Sequence, residues 1–220
     1  NGHTVYSDTN YYDWSGVIPD AVEVILYLDG YDYGGLLGEN ADPFAANQSM
    51  LNFVANGGGV VFTEWYAYDQ RDGQTEDVAA LMPVTYNGDY YYEADWSVSS
   101  GFENHELVKN LVSTSFTEGN GSDDSYSDVV ANEGTTVVME DQDGIPLLSY
   151  TNLYGGTTVH INDGMTYDDF ISDEMLSVIN SSLEFAAGKP IAVPEPSSLA
   201  IFGLGLTAFS LSRRKKKVNK

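Results

Sequence analysis

Two nearly continuous apolar runs of strand length, Val22–Asp29 (VEVILYLD) and Gly59–Glu64 (GVVFTE), bracket one amphipathic segment, and that order restricts the fold more than any other feature. Runs without polar alternation suit strands covered on both faces, as in a parallel sheet. Between them, Asp42 and Pro43 supply a helix N-cap and a first-turn proline. Phe44, Ala46, Met50, Phe53 and Val54 then recur at helical spacing, and Gly57 supplies the stop. Strand, helix and strand in this order predict an α/β domain with a parallel sheet.

The second half adds strands of another kind. Thr135–Glu140 and Pro146–Tyr150 flank Asp141-Gln142-Asp143-Gly144, a hairpin signal, and Thr157–Asn162 follows Tyr154-Gly155-Gly156. These three strands are expected to be antiparallel or mixed. Met175, Leu176, Ile179, Leu183 and Ala186 share a helical face that ends at Gly188 before Pro190. The domain therefore spans 1–188, and 189–193 is a linker. Residues 1–5 contain neither the basic nor the apolar region of an export signal and read as a helix stop running into a strand. We therefore expect a truncated or processed chain, with a first strand and helix upstream.

Charge is distributed unevenly. Six of the nine basic residues lie at 213–217 and 220, which leaves three basic against 33 acidic residues in 1–196 and a net charge of −30 there. Such a surface repels phosphate backbones and has no basic stripe to hold them, so nucleic-acid binding is excluded, whereas divalent cations and neutral glycans are easier partners. With 42% hydrophobic and 19% charged residues the body reads as folded. There is no cysteine, so disulfides, thiolate metal sites and cysteine nucleophiles are absent.

The tail, 194–220, has three parts in a meaningful order: Pro194-Glu195-Pro196, a charge-free run at 199–211, and the basic cluster Arg213, Arg214, Lys215, Lys216 and Lys217. The two prolines enforce extended backbone of the kind a protease cleft grips. The 13-residue run is shorter than the ~20 residues that cross a bilayer comfortably, which suits temporary holding. The basic cluster would remain cytoplasmic and place the acidic body on the far side. This tail resembles the PEP-CTERM sorting signal. The resemblance implies recognition and cleavage by an exosortase, transient anchoring in the inner membrane through 199–211, and delivery to the cell envelope or extracellular matrix among exopolysaccharide and other envelope glycans.

The body, with FVANGGGVVFTEW at 53–65, His105 opening a short helix and a last strand ending at Asp163 before the final helix, resembles the class I glutamine amidotransferase-like family and its ThuA-like relatives. The implied fold is a flavodoxin-like three-layer sandwich, with a mostly parallel sheet and an antiparallel hairpin toward the C-terminal side. Active members carry a cysteine on the turn after a central strand. This chain has none, so no amidotransferase role passes to any residue here.

Candidate sites follow from the strand ends. Asp29 and Tyr31 follow the first run, and Glu64 and Trp65 close the second, so in a parallel sheet all four belong at the crevice where such sheets bind ligands. Acids beside aromatics suit a sugar, and two carboxylates placed together there would form a metal site or an acid–base pair. Asp123, Asp124 and Asp128, with Glu118 nearby, offer oxygen ligands of the kind Ca²⁺ takes, against the plainer reading of a solvated acidic loop. Asp141-x-Asp143-Gly144 lacks the downstream acid of a calcium loop and reads as a turn. His3, His105 and His160 show no ligand spacing. The favoured function is a non-catalytic binding or structural role in the envelope or matrix. The alternatives are a carbohydrate-active hydrolase using acids such as Asp29, Glu64 and Asp163, and a calcium-dependent adhesion module.

Overall fold

The computed structural model describes residues 4–5, 17–27, 43–68, 70, 76–118, 126–165 and 171–188. The first apolar run forms β1 (Val24–Tyr27), the amphipathic segment forms α1 (Pro43–Ala55), and the second run forms β2 (Gly59–Thr63), which continues without a loop into the short helix α2 (Glu64–Tyr68). α1 ends as its sequence requires. Gly57 adopts φ +93°, and Gly58 N and Gly57 N donate to Phe53 O and Val54 O at 3.0 and 2.9 Å, the paired bonds of a Schellman stop.

Four strands that the sequence did not announce follow: β3 (Val84–Tyr91), β4 (Ala94–Val98), β5 (Ser115–Glu118) and β6 (Tyr126–Ala131). The expected hairpin is β7 (Thr136–Glu140) with β8 (Pro146–Thr151), and then come β9 (Thr158–Ile161) and α3 (Asp173–Ala186). His105 opens one helical turn rather than a helix, its carbonyl accepting from Val108 N and Lys109 N at 3.0 and 2.9 Å.

The main sheet has the order β1-β2-β9-β8-β7-β4-β5, and β3 pairs with β6 in a separate two-stranded sheet. β1, β2 and β9 are parallel neighbours, and the remaining pairs in the main sheet are antiparallel. Five of the seven strands thereby point one way, with β8 and β4 reversed.

The three-layer α/β arrangement expected from the sequence is present, and β2, buried along its whole length, shows why its run had to be apolar throughout. Val60 and Phe62 pack with Met50 and Val54 of α1, whereas Val61 packs with Met175, Val178 and Ala186 of α3. Gly59 lies on the α3 side, where a Cβ would come within 2.2 Å of Ala186 O, so the last turn of α3 packs directly on strand backbone. Val84 of β3 and Val129 of β6 join the α1-side core, which places the small sheet over that face.

The start of α3 depends on a buried acid. Ser172 caps the helix by accepting from Met175 N at 3.0 Å, and its own N–H and hydroxyl donate to the Glu118 carboxylate, which is 8% exposed. Glu118 thus places negative charge at a helix N-terminus. Glu118→Ala should lower stability by about 1–2 kcal/mol in urea denaturation of the full chain. An unchanged midpoint would show that Ser172 caps α3 unaided.

Candidate functional site

The parallel strands β1, β2 and β9 end together, and Glu64, the first residue after β2, is fully buried there. Its backbone N–H donates to Asp163 O at 3.3 Å, and its Oε1 accepts from the Ser127 hydroxyl at 2.6 Å. The carboxylate therefore points at β6 rather than at solvent.

Asn162, just past β9 and also fully buried, completes the arrangement. Its Oδ1 accepts from Ser127 N at 3.0 Å, while its Nδ2 donates to Ser127 O at 2.8 Å and to Pro146 O at 3.0 Å. One side-chain amide thus pairs with the Ser127 peptide on both its donor and its acceptor, as a neighbouring strand would. With both amide hydrogens and the oxygen used, the orientation of Asn162 is set. Ser127 is gripped by Glu64 through its side chain and by Asn162 through its backbone, which fastens the small sheet to the main one.

The turn after β9 is bound just as closely. Asp163 Oδ1 accepts from Met165 N at 3.0 Å, and Met165 adopts φ +37°, the left-handed backbone that non-glycine residues rarely enter. Trp65 Nε1 donates to Gly164 O at 2.7 Å, and the indole is 9% exposed. Glu64, Trp65 and Asp163 therefore do meet at the strand ends, but each is turned inward and hydrogen-bonded to this turn or to β6. Asp29 and Tyr31 lie outside the described residues.

The remaining candidates divide similarly. Asp128 sits on β6, where its Oδ2 accepts from Asn87 Nδ2 at 3.0 Å, and Asp123 and Asp124 lie outside the described residues. Among the described residues no three acids or histidines stand close enough to hold a metal ion. Asp141 organises the β7–β8 turn, its Oδ1 accepting from Asp143 N and Ile145 N at 2.9 and 2.8 Å, while its Oδ2 accepts from the Tyr126 hydroxyl at 3.1 Å. Burial and the Asp141 charge hold that hydroxyl well above the usual tyrosine range. Two cavities of about 210 and 270 Å³ lie elsewhere, the first beside Asn132, Glu133 and Tyr154, the second between Pro19 and Phe53.

Sequence reasoning missed Ser127 and Asn162, whose roles exist only through partners 63 and 35 residues away. It also missed a chain of aromatic rings leaving this site. Trp65 meets Tyr68 at 5.8 Å, and Tyr68 meets Tyr86 and Tyr90 of β3 at 5.8 and 6.0 Å, all nearly edge to face. The only available signal was the density of tyrosine around 86–92.

Comparison with known structures places the fold. A cytoplasmic protein of Salmonella typhimurium superposes with a TM-score of 0.60 at 17% identity, covering 80% of this chain and 78% of that one. A ThuA-like protein of Bacteroides uniformis gives 0.58 at 14% identity, covering 83% and 78%, and one of Parabacteroides merdae gives 0.50 at 16%, covering 79% and 74%. The body is thus an α/β domain with the fold of ThuA-like proteins. No curated protein matches the chain in sequence. Residues 192–215 match the PEP-CTERM protein-sorting motif, which marks the chain as a secreted protein processed by an exosortase. Pro194, Glu195, Pro196 and the basic residues 213–215 fall within that match, and Lys216 and Lys217 follow it directly. Among the described residues no helix is long and apolar enough to cross a membrane, and 199–211 lies outside them.

Proposed function

We propose that this chain is an envelope or extracellular-matrix protein with a non-catalytic, binding or structural role. It is held in the inner membrane through 199–211 until an exosortase cuts near Pro194-Glu195-Pro196, and its partners are envelope glycans such as exopolysaccharide. The observation that carries the reading is the sorting motif at 192–215, followed by basic residues that would stay cytoplasmic. The structural role draws support from the strand ends, where Glu64, fully buried, accepts from Ser127 and so joins the two sheets.

Intact-mass measurement on protein recovered from its native host tests the reading. The extracellular form should lack the apolar run and the basic cluster. Changing Pro194, Glu195 and Pro196 together to alanine should leave the tail attached and the protein in the membrane fraction. Extracellular chains that still end at Lys220 would overturn it.

A further inference from the structure

β3 ends in three consecutive tyrosines that stay open to solvent: Tyr90 at 46%, Tyr91 at 40% and Tyr92, just beyond the strand, at 47%. Alternation along the strand divides them between its two sides. Tyr91 leans on Tyr126 at 5.1 Å. Tyr90 and Tyr92 meet on the other side, their rings 5.5 Å apart, and the Tyr92 hydroxyl donates to that of Tyr90 at 3.3 Å. Tyr90 also pairs across the strands with Ser127, the residue whose hydroxyl meets Glu64. Cross-strand partners share a side, so Tyr90 and Tyr92 belong to the side of the small sheet that faces the ends of the parallel strands, where open α/β sheets take ligands.

The two exposed rings are held from behind. Tyr68 packs on Tyr90 at 6.0 Å, and Gln70, two residues on, ties the segment after α2 to the edge of β3, its Nε2 donating to Val84 O at 3.3 Å and its Oε1 accepting from Tyr86 N at 3.0 Å. Rings already held by other rings lose little freedom when a ligand settles on them. Each phenol offers an apolar face and a hydroxyl that both donates and accepts. Because Tyr90 and Tyr92 stand at 84° to one another, a flat ligand lying on one ring has the edge of the other beside it. A pyranose with equatorial hydroxyls has the matching form, with C–H groups on its faces and hydroxyls around its rim. Charge selects among such sugars, since the net charge of −30 over 1–196 repels a polyanion. A leucine-rich peptide would find little here, because Val84 and Val129, the branched aliphatic side chains of β3 and β6 on this side, are buried.

We infer that Tyr90 and Tyr92 form a platform for a neutral glycan of β-linked glucose or sugars of the same configuration. A sugar face covers a tyrosine ring, and the hydroxyls at its rim meet the phenol hydroxyls. This deepens the binding role proposed above and rests on it, but it is tested on purified protein. Loss of export and loss of binding are therefore separate results.

The test is calorimetric titration of the full chain, kept in solution with a polyoxyethylene detergent that carries no sugar, with cellohexaose and with an oligogalacturonate. Cellohexaose should bind equally well in low and high salt, since the contact uses no ion pair, and about tenfold more weakly to the Tyr90→Ala/Tyr92→Ala variant. Tyr91→Ala, on the other side of the strand, should bind as the native chain does. Because these side chains are exposed, circular dichroism should show both variants folded, and Tyr92→Ala alone, a change beyond the strand, should weaken binding in the same direction. The inference would be overturned by no binding of cellohexaose, by binding that high salt abolishes, by oligogalacturonate binding as tightly, or by a loss in Tyr91→Ala that matches the loss in the double variant.

Discussion

Asn162→Leu should cost about 3–5 kcal/mol of folding stability, because it strands several buried backbone groups at about 1–3 kcal/mol each while adding no cavity large enough to admit water. The groups are Ser127 N–H, Ser127 C=O and Pro146 C=O, all partnered by the one amide. Ser127→Ala should cost less, since it removes the hydroxyl that meets Glu64 but leaves the backbone to which Asn162 is bonded. The order of the two effects, measured by urea denaturation of the full chain, is the informative quantity. If Asn162→Leu proved no more harmful than Ser127→Ala, the amide would not be what holds the small sheet to the main one. Asn162→Asp should be at least as harmful as Asn162→Leu, because a carboxylate would face two carbonyl oxygens with no hydrogen to offer them.

The parts of the fold that were legible in the sequence share one cause. β1, α1, β2, the β7–β8 hairpin, β9 and α3 all bury apolar side chains at the period of their own backbone, between glycines and prolines that end them. β3 does not. Only Val84 is buried along it, and the strand is shaped by rings meeting edge on at Tyr86 and Tyr90 rather than by an apolar face. β4 did carry a signal: Ala94 and Trp96 are buried in alternation with exposed Asp95 and Ser97, and Trp96 stacks on Phe116 of β5 at 5.6 Å. Five residues are too few for that alternation to stand out beside three tyrosines and two acids.

The site was legible in position but not in orientation. Parallel strands ending together follow from the apolar runs, so Glu64, Trp65 and Asp163 could be placed at one end of the sheet. Whether a carboxylate there faces a crevice or the interior depends on what covers it, and for Glu64 part of that cover is Ser127 of β6. Glu118 depends on a distant partner in the same way, its oxygens accepting from Ser172, 54 residues on, at the cap of α3.

A buried histidine on β9 should make stability depend on pH. His160 pairs with Phe62 of β2 and Ser149 of β8, is fully buried, and has no hydrogen-bond partner at either ring nitrogen. Desolvation alone keeps it neutral, with a pKa pushed down to about 3. In the unfolded chain it takes up its proton near pH 6.5. Above that pH both states are neutral and His160 adds no pH dependence. Between about 6.5 and 3 only the unfolded chain is protonated, so stability falls as pH falls, by up to about 1.4 kcal/mol per unit. His105 is shifted in the same direction by desolvation, opposed by Glu106, and relief of repulsion among the many carboxylates acts the other way. Both contributions remain in a His160→Leu variant and cancel in the comparison. The stability difference between the native chain and the variant, followed by urea denaturation from pH 7.5 to 4.5, should be flat down to about 6.5 and then move steadily in favour of the variant. At pH 7 the variant should be no less stable than the native chain, since leucine replaces two unpaired polar atoms with apolar surface of similar size. A difference independent of pH across that range would mean that His160 takes up a proton while folded.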